Sequence, residues 1–185
     1  MQKRIIKYVK GTINYGLYYG KCKSVDFTQI YAYSDSDFAG DCKSRKSTSG
    51  CIIKLGNDLI SWCSRKQQSV ALSTTESEFV AASNAVQEII WLERLVKDLI
   101  SDSVQIPILY VDNQSAIKLI KNPQFHCKTK HIDVKYNFVR DRYKDGFYKL
   151  SYICSKDQQA DILTKGLPRV NFERLRNEIG VLCNY

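Results

Sequence analysis

The sequence predicts an α/β protein built on a mixed sheet with helices on both faces. Three observations carry this. Three strand-like stretches follow one another between residues 29 and 65, a long helical pattern runs from 74 to about 100, and strand-like and helical runs then alternate to the end. Strands joined by short turns pair antiparallel, whereas a strand–helix–strand passage makes a parallel crossover. With 185 residues and 44% hydrophobic content, the chain is long enough for one cored domain, or one domain with a short extra segment.

The elements justify that order in turn. Residues 1–23 read as a short basic helix, a break at Gly11-Thr12, and the strand-like "INYGLYYG". "IYAYS", "TSGCIIKLG" and "LISWCSRK" read as strands, with "GND" as a hairpin turn between the last two. From residue 74, Phe79, Ala82, Val86, Ile89, Leu92, Val96 and Leu99 keep helical spacing. "IPILYV" is a short apolar run of the buried parallel kind. A helix from Asn113 to Lys121 stops at Asn122-Pro123. "IDVKYNFVRDRYK" reads as a helix and "GFYKLSYIC" as a strand. "SKDQQADILTKG" reads as a helix opened by a Ser-x-x-Gln capping box and closed by Gly166, and a last helix covers about 170–179.

The net charge is +9, and the first 25 residues hold six Lys or Arg and no acid. Such a surface suits a polyanion, most often nucleic acid, and suits equally a solvated basic face with no specific partner. Seven scattered cysteines with no C-x-x-C pair suit free thiols in a reducing compartment. His126, Cys127 and His131 form a small cluster, but it lacks a fourth ligand at zinc-site spacing. No apolar run is long enough to span a bilayer and Met1 opens no signal-peptide pattern, so the expectation is an intracellular, cytoplasmic protein with no membrane partner.

The acids point to chemistry. Asp35 and Asp37 in "YSDSDFAG" lie two apart at a strand end and project to the same side. Asp112 ends "ILYV", and ligands of open α/β sheets gather outside the carboxyl ends of strands. At about 100° per residue, Glu78 falls on the buried stripe of the long helix and Glu76 lies roughly 160° away. Each acid also has a plain structural role available. Asp37 suits a turn, Asp112 or Asn113 a helix cap, and Glu76 a capping box with Ser73; Glu78 has the competing register with Thr75. Asp133 reads as a helix cap, and periodicity gives no reason to select Asp161. Three converging acids without a nucleophilic Ser, Cys or His constellation suit oxygen-ligated Mg²⁺ or Mn²⁺. With a basic surface, metal-assisted phosphodiester hydrolysis is the reaction to expect.

In chain order, "YSDSDFAGD", "RKSTSG", "ISWCSRKQ", "VALSTTESEFVA", "WLERL", "VDNQSAI", "KTKHID" and "QQADILTK" resemble the ribonuclease H domain of copia-type long-terminal-repeat retrotransposon Pol polyproteins. The resemblance covers nearly the whole chain, and "YVKGTINYGLYY" resembles the segment that joins reverse transcriptase to that domain. It implies residues 1–25 as the tail of the reverse transcriptase connection segment, 26–168 as the ribonuclease H domain, and 169–185 as a C-terminal helix and tail. It implies a ribonuclease H-like fold whose five-stranded mixed sheet has its first three strands antiparallel. It also implies cleavage of the RNA strand of an RNA–DNA hybrid with two divalent ions, Mg²⁺ or Mn²⁺. Residue by residue, the matched acids are Asp35 of "YSD", Glu78 of "SEF", Asp112 of "VDN" and Asp161 of "QAD", the last resting on the resemblance alone.

The same resemblance implies the reverse transcriptase of the polyprotein as a partner, and a virus-like particle as the setting if the element is intact. Cellular ribonucleases H carry a histidine in the loop before the last acid; here that loop, "CSKDQQ", has none. Contacts with the hybrid are expected from Ser47, Thr48, Ser49, Thr74, Thr75 and Gln114, and with phosphates of the DNA strand from Arg45, Lys46 and Lys66. The alternative is an inactive nucleic-acid-binding or connection domain from a degenerate or host-recruited element. "YVDN" also resembles a polymerase-palm hairpin, but its second acid is missing and the run feeds a helix.

Overall fold

The computed structural model describes residues 2–20, 28–100, 104–122 and 130–183. His126 and Cys127, and the side chains of His131 and Asp133, lie outside the described residues. The elements are α1 (Gln2–Gly11), β1 (Tyr15–Leu17), β2 (Ile30–Asp37), β3 (Thr48–Leu55), β4 (Asp58–Lys66), α2 (Thr74–Ile100), β5 (Ile108–Val111), α3 (Gln114–Lys121), α4 (Lys130–Lys144), β6 (Lys149–Tyr152), α5 (Asp161–Thr164), α6 (Arg169–Glu178) and β7 (Val181–Cys183).

Five strands form one sheet in the order β4-β3-β2-β5-β6. The hairpin-linked β2, β3 and β4 are antiparallel, whereas β5 and β6, each reached through helices, run parallel to β2. This is the mixed sheet expected from the order of the elements. Its two central strands, β2 and β5, bring Ser34 beside Val111, so Asp35 and Asp112 emerge together at the same end.

Alternation along β2 and β3 divides the sheet into two faces. Ile30, Ala32, Cys51, Ile53, Leu109 and Val111 pack on Phe79, Ala82, Ala85, Val86 and Ile89 of α2. The Ile, Leu, Val and Phe side chains among these each contribute roughly 1.5–3 kcal/mol on burial. The opposite face is smaller: Ile52, Leu59 and Ile179 are joined by Leu17, Tyr33, Ile162, Leu163 and Val181. The stripe on α2 does not stay buried to its end, since Leu99 is 72% exposed. A 27-residue helix is about 40 Å long and outruns eight-residue strands of about 26 Å.

Two features depart from the sequence reading. Residues 155–166 do not form one capped helix. A 3₁₀ turn spans Ser155–Asp157, and α5 begins only at Asp161. Gln158, the intended capping partner, is fully buried instead: its amide donates to Ser34 O (2.9 Å) and its carbonyl accepts from Ala160 N (3.3 Å). Satisfying a buried carbonyl of the central strand outweighs an exposed cap. The second is β7, three residues long and without a strand pattern of its own, which pairs antiparallel with β1.

Gly50 is the antiparallel partner of Asp35 and lies under α5. A Cβ there would stand 2.6 Å from Thr164 Cγ2 and 3.0 Å from Ala160 O. Gly50→Ala is therefore expected to destabilise the protein by about 1–3 kcal/mol, through overpacking against α5. Urea unfolding monitored by circular dichroism measures it, and an unchanged midpoint would contradict this packing.

Candidate metal centre and active site

Asp35 lies near the end of the central strand and is fully buried. Burying a carboxylate is costly unless it is paired, and both its oxygens are engaged. Lys165 Nζ donates to Oδ1 (2.9 Å), and the Thr164 hydroxyl makes a short hydrogen bond to Oδ2. Lys165 also donates to Asp161 Oδ1 (3.1 Å), so one ammonium bridges two of the four matched acids.

Glu78 comes from the first turns of α2. Its freedom to face the sheet depends on how that helix is capped. Ser73 Oγ accepts from Glu76 N (3.1 Å), and the Glu76 carboxylate accepts from Leu72 N (2.8 Å). Thus Glu76, not Glu78, serves the helix end. Glu78 Oε1 accepts from Ser36 N (3.2 Å), whereas buried Oε2 has no hydrogen-bond partner. Asp112 is spared in the same way, because Asn113 caps α3 by accepting from Ala116 N (3.0 Å). Oxygens of Asp35, Glu78 and Asp112 lie within 4.8 Å of one another.

Three carboxylates this close repel. Burial, reinforced by the charges of Asp35 and Asp112, pushes the Glu78 carboxyl up to about 8. Burial and the Asp35 charge push Asp161 up to about 6, against the pull of Lys165. Burial disfavours the Lys165 ammonium, but Asp35 and Asp161 outweigh it and hold its pKa above the ordinary lysine value. An unpartnered buried carboxylate oxygen, an all-oxygen donor set and unrelieved like charge together fit a hard divalent cation.

A second layer holds the ligand-bearing elements in place. Ser36 Oγ donates to Ser77 Oγ (2.9 Å), locking β2 onto α2 beside Glu78. Buried Gln67 donates to Ser49 Oγ and to Ser77 O, both at 2.9 Å, tying the end of β4 to the same place. Neither Gln67 nor Lys165 and Thr164 were selected from sequence. The available signal for Lys165 was its position four residues after Asp161, one helical turn on.

The residues expected to meet nucleic acid divide by environment. Arg45, Thr74 and Gln114 are exposed; Lys46, Thr48 and Thr75 are half-buried. Lys66 is exposed and pairs closely with Asp41. Asp41 also accepts from Lys43 N and Ser44 Oγ, both at 2.9 Å, and so folds the loop that carries Arg45 and Lys46. Ser47 and Ser49, expected at the hybrid surface, have their hydroxyls turned inward. Ser47 Oγ accepts from Ala39 N (3.0 Å) and Ser49 Oγ is held by Gln67. Any contact from this stretch therefore falls to Thr48 and the flanking cations. Asp37 is half-buried, and its carboxylate rests against Gly40, where a Cβ would overlap it.

The chain is 38% identical over 179 residues to the Pol polyprotein of the Arabidopsis thaliana transposon RE1, covering 97% of this chain and 12% of that protein. It is likewise 38% identical over 182 residues to the Pol polyprotein of Nicotiana tabacum transposon TNT 1-94, covering 98% and 13%. The chain is homologous to a segment of retrotransposon Pol polyproteins. It spans about an eighth of the length of those curated relatives. No family model matches.

Among solved structures, the N-terminal RNase H domain of a Mycobacterium tuberculosis protein superposes with a TM-score of 0.52 at 8% identity, covering 81% of this chain and 97% of that one. LC11-RNase H1, solved with an RNA/DNA hybrid, gives 0.52 at 12% identity, covering 73% and 93%. The chain thus has the ribonuclease H fold, as the sheet order already indicated.

The raised Glu78 pKa sets a pH dependence. Between about 4.5 and 8 the folded state keeps a proton that the unfolded state has lost. Stability of the metal-free protein therefore falls as pH rises through that window. Thermal melts at pH 5 and pH 8 are expected to show the drop, and Mg²⁺ to restore more at pH 8, where it replaces a lost proton. Glu78→Gln is expected to raise the metal-free Tm at pH 8 by about 2–4 °C for each kcal/mol of repulsion relieved.

Proposed function

We propose that this segment is a metal-dependent endonuclease that cuts the RNA strand of RNA–DNA hybrids during reverse transcription of its element. The observation that carries this reading is the convergence of Asp35, Glu78 and Asp112 at the ends of the two central strands, with Glu78 Oε2 left unpartnered. The relatedness to Pol polyproteins, and a fold neighbour solved with a hybrid, supply the substrate class.

Asp35, Glu78, Asp112 and Asp161 would hold two Mg²⁺ or Mn²⁺ ions. When bound, such ions lower the pKa of the attacking water and offset the charge that develops on the leaving 3′ oxygen. Ser36 N and the Ser36–Ser77 bond fix the Glu78 carboxylate relative to Asp35. Thr164 fixes the face that Asp35 presents. Thr48, Thr74, Thr75 and Gln114 would read 2′-hydroxyls across a wide minor groove, the feature that separates a hybrid from duplex DNA. Arg45, Lys46 and Lys66 meet DNA-strand phosphates and set position without reading sequence. The reverse transcriptase of the same polyprotein would deliver the hybrid, in the cytoplasm or in a virus-like particle. Residues 1–25 would connect to it, 26–168 would form the catalytic domain, and 169–185 would close it.

Asp112→Asn is expected to reduce cleavage of a labelled hybrid in Mg²⁺ to background while hybrid binding survives. Asp37→Asn should keep the rate within about a factor of two, as a half-buried carboxylate at the strand end and outside the acid cluster would. Asp35→Asn should lose far more than Asp37→Asn, and equal loss in those two variants would mean that the working acid of β2 is wrongly assigned. Binding by the wild-type chain with no cleavage in either metal would identify a non-catalytic domain instead. Arg45→Ala is expected to weaken hybrid binding uniformly across sequences and to lower the slope of log K against log salt by about 1. Fluorescence anisotropy across a salt series measures that slope.

A further inference from the structure

We propose that Lys165 is a tethered cation that competes with the second divalent ion for the pair Asp35–Asp161, so that this half of the centre loads weakly until substrate arrives. The proposal rests on the metal-centre reading above. Its basis is an asymmetry between the two halves of the acidic cluster. In one half, Lys165 Nζ sits 2.9 Å from Asp35 Oδ1 and 3.1 Å from Asp161 Oδ1. In the other, among the described residues, no ion pair reaches Glu78 or Asp112.

The asymmetry orders the binding events. Glu78 and Asp112 have no ion-pair partner among the described residues, so a first ion taken up by them and the Oδ2 side of Asp35 has no cation to displace. Asp35 and Asp161 already share a positive charge, so a second ion must displace it. The two cations cannot coexist in one place: Mg²⁺ takes its oxygens at about 2.0–2.1 Å, inside the distance the ammonium keeps.

Lys165 is built to step aside and return. Its side chain is 37% exposed while the Asp35 side chain is 1% exposed, so the ammonium has an open route to solvent that the carboxylate lacks. Its backbone N–H donates to Asp161 O (3.0 Å) at the end of α5, which keeps the stem within reach of both acids. A scissile phosphate adds negative charge beside the second ion position and tilts the competition toward the metal. Loading is thereby coupled to the presence of nucleic acid.

Calorimetric titration of Mg²⁺ and Mn²⁺ into the whole chain without nucleic acid tests this. Wild type is expected to show one stronger and one weaker event. Lys165→Met should tighten the weaker event at least about tenfold and leave the stronger one in place, the order expected for removing a unit charge at hydrogen-bond distance. Lys165→Arg, which keeps the charge, should retain the weak event, and Asp161→Asn should abolish it. A second event in Lys165→Met no tighter than wild type, or a Lys165→Arg that matches Lys165→Met, overturns the proposal.

Should Lys165→Met fail to fold, the wild-type chain carries the test alone. With ¹³C-lysine labelling, the Lys165 Cε resonance should shift with the second equivalent of Mg²⁺ and not the first. A resonance that stays still overturns the idea. If wild type binds no ion, the metal-centre reading falls along with it. If an ion binds and Asp112→Asn abolishes it, while Lys165→Met behaves as wild type, only the competition falls.

Discussion

The burial of Asp35 is the constraint on which the rest of this structure depends. A carboxylate on a central strand, closed off from water, has to be surrounded by groups that answer its charge. Thr164 and Lys165 answer it from α5, and Gly50 makes that possible by leaving room for α5 to close against the sheet. Glu78 and Asp112 approach from the other side and add to the charge, not to its relief. The elements around the site are arranged to hold this conflict in place: Ser36, Ser77 and Gln67 tie two strands and a helix together around it.

The division of labour among neighbouring polar residues follows from the same constraint. In two places, an acid is freed for the centre because a nearby residue takes the structural duty. Glu76 serves the helix end so that Glu78 can face the sheet; Asn113 caps α3 so that Asp112 need not. Asp37, the last residue of β2, rests against Gly40 and stands outside the acid cluster that Asp35 joins. Paired acids in a sequence are thus not redundant. In the pair Glu76–Glu78 the first carboxylate is satisfied at the helix end and the second keeps a buried oxygen without a partner.

Much of this was legible from periodicity. The central strands, α2 and the rotation of Glu78 toward the sheet follow from patterns of two and 3.6 residues. Asp112 was readable from its place at the end of an apolar run. Asp161 was not, because α5 is a single turn with no periodicity to rotate against, and its partner Lys165 is defined only by tertiary packing. The capping box at Ser155 failed for a related reason: a local signal lost to Gln158, whose hydrogen bond goes to Ser34, 124 residues away in sequence. Ser47 and Ser49 look like surface residues in a basic, polar loop. Their hydroxyls are held by Ala39 and Gln67 through the way the loop folds back, which periodicity does not report.

The β1–β7 pair has a consequence for how the chain comes together. Its partners, Tyr15 and Cys183, stand near opposite ends of the sequence, so pairing them closes a loop around almost everything else. Contacts of such separation form late, after shorter loops have already been drawn in. With three residues on each side, and both strands at the periphery, the pair also belongs among the first parts to open. The hairpins and α2 can therefore assemble the sheet before this clasp engages. Its closure would mark the last stage of maturation for the smaller face, where α5 brings Asp161 and Lys165 to Asp35.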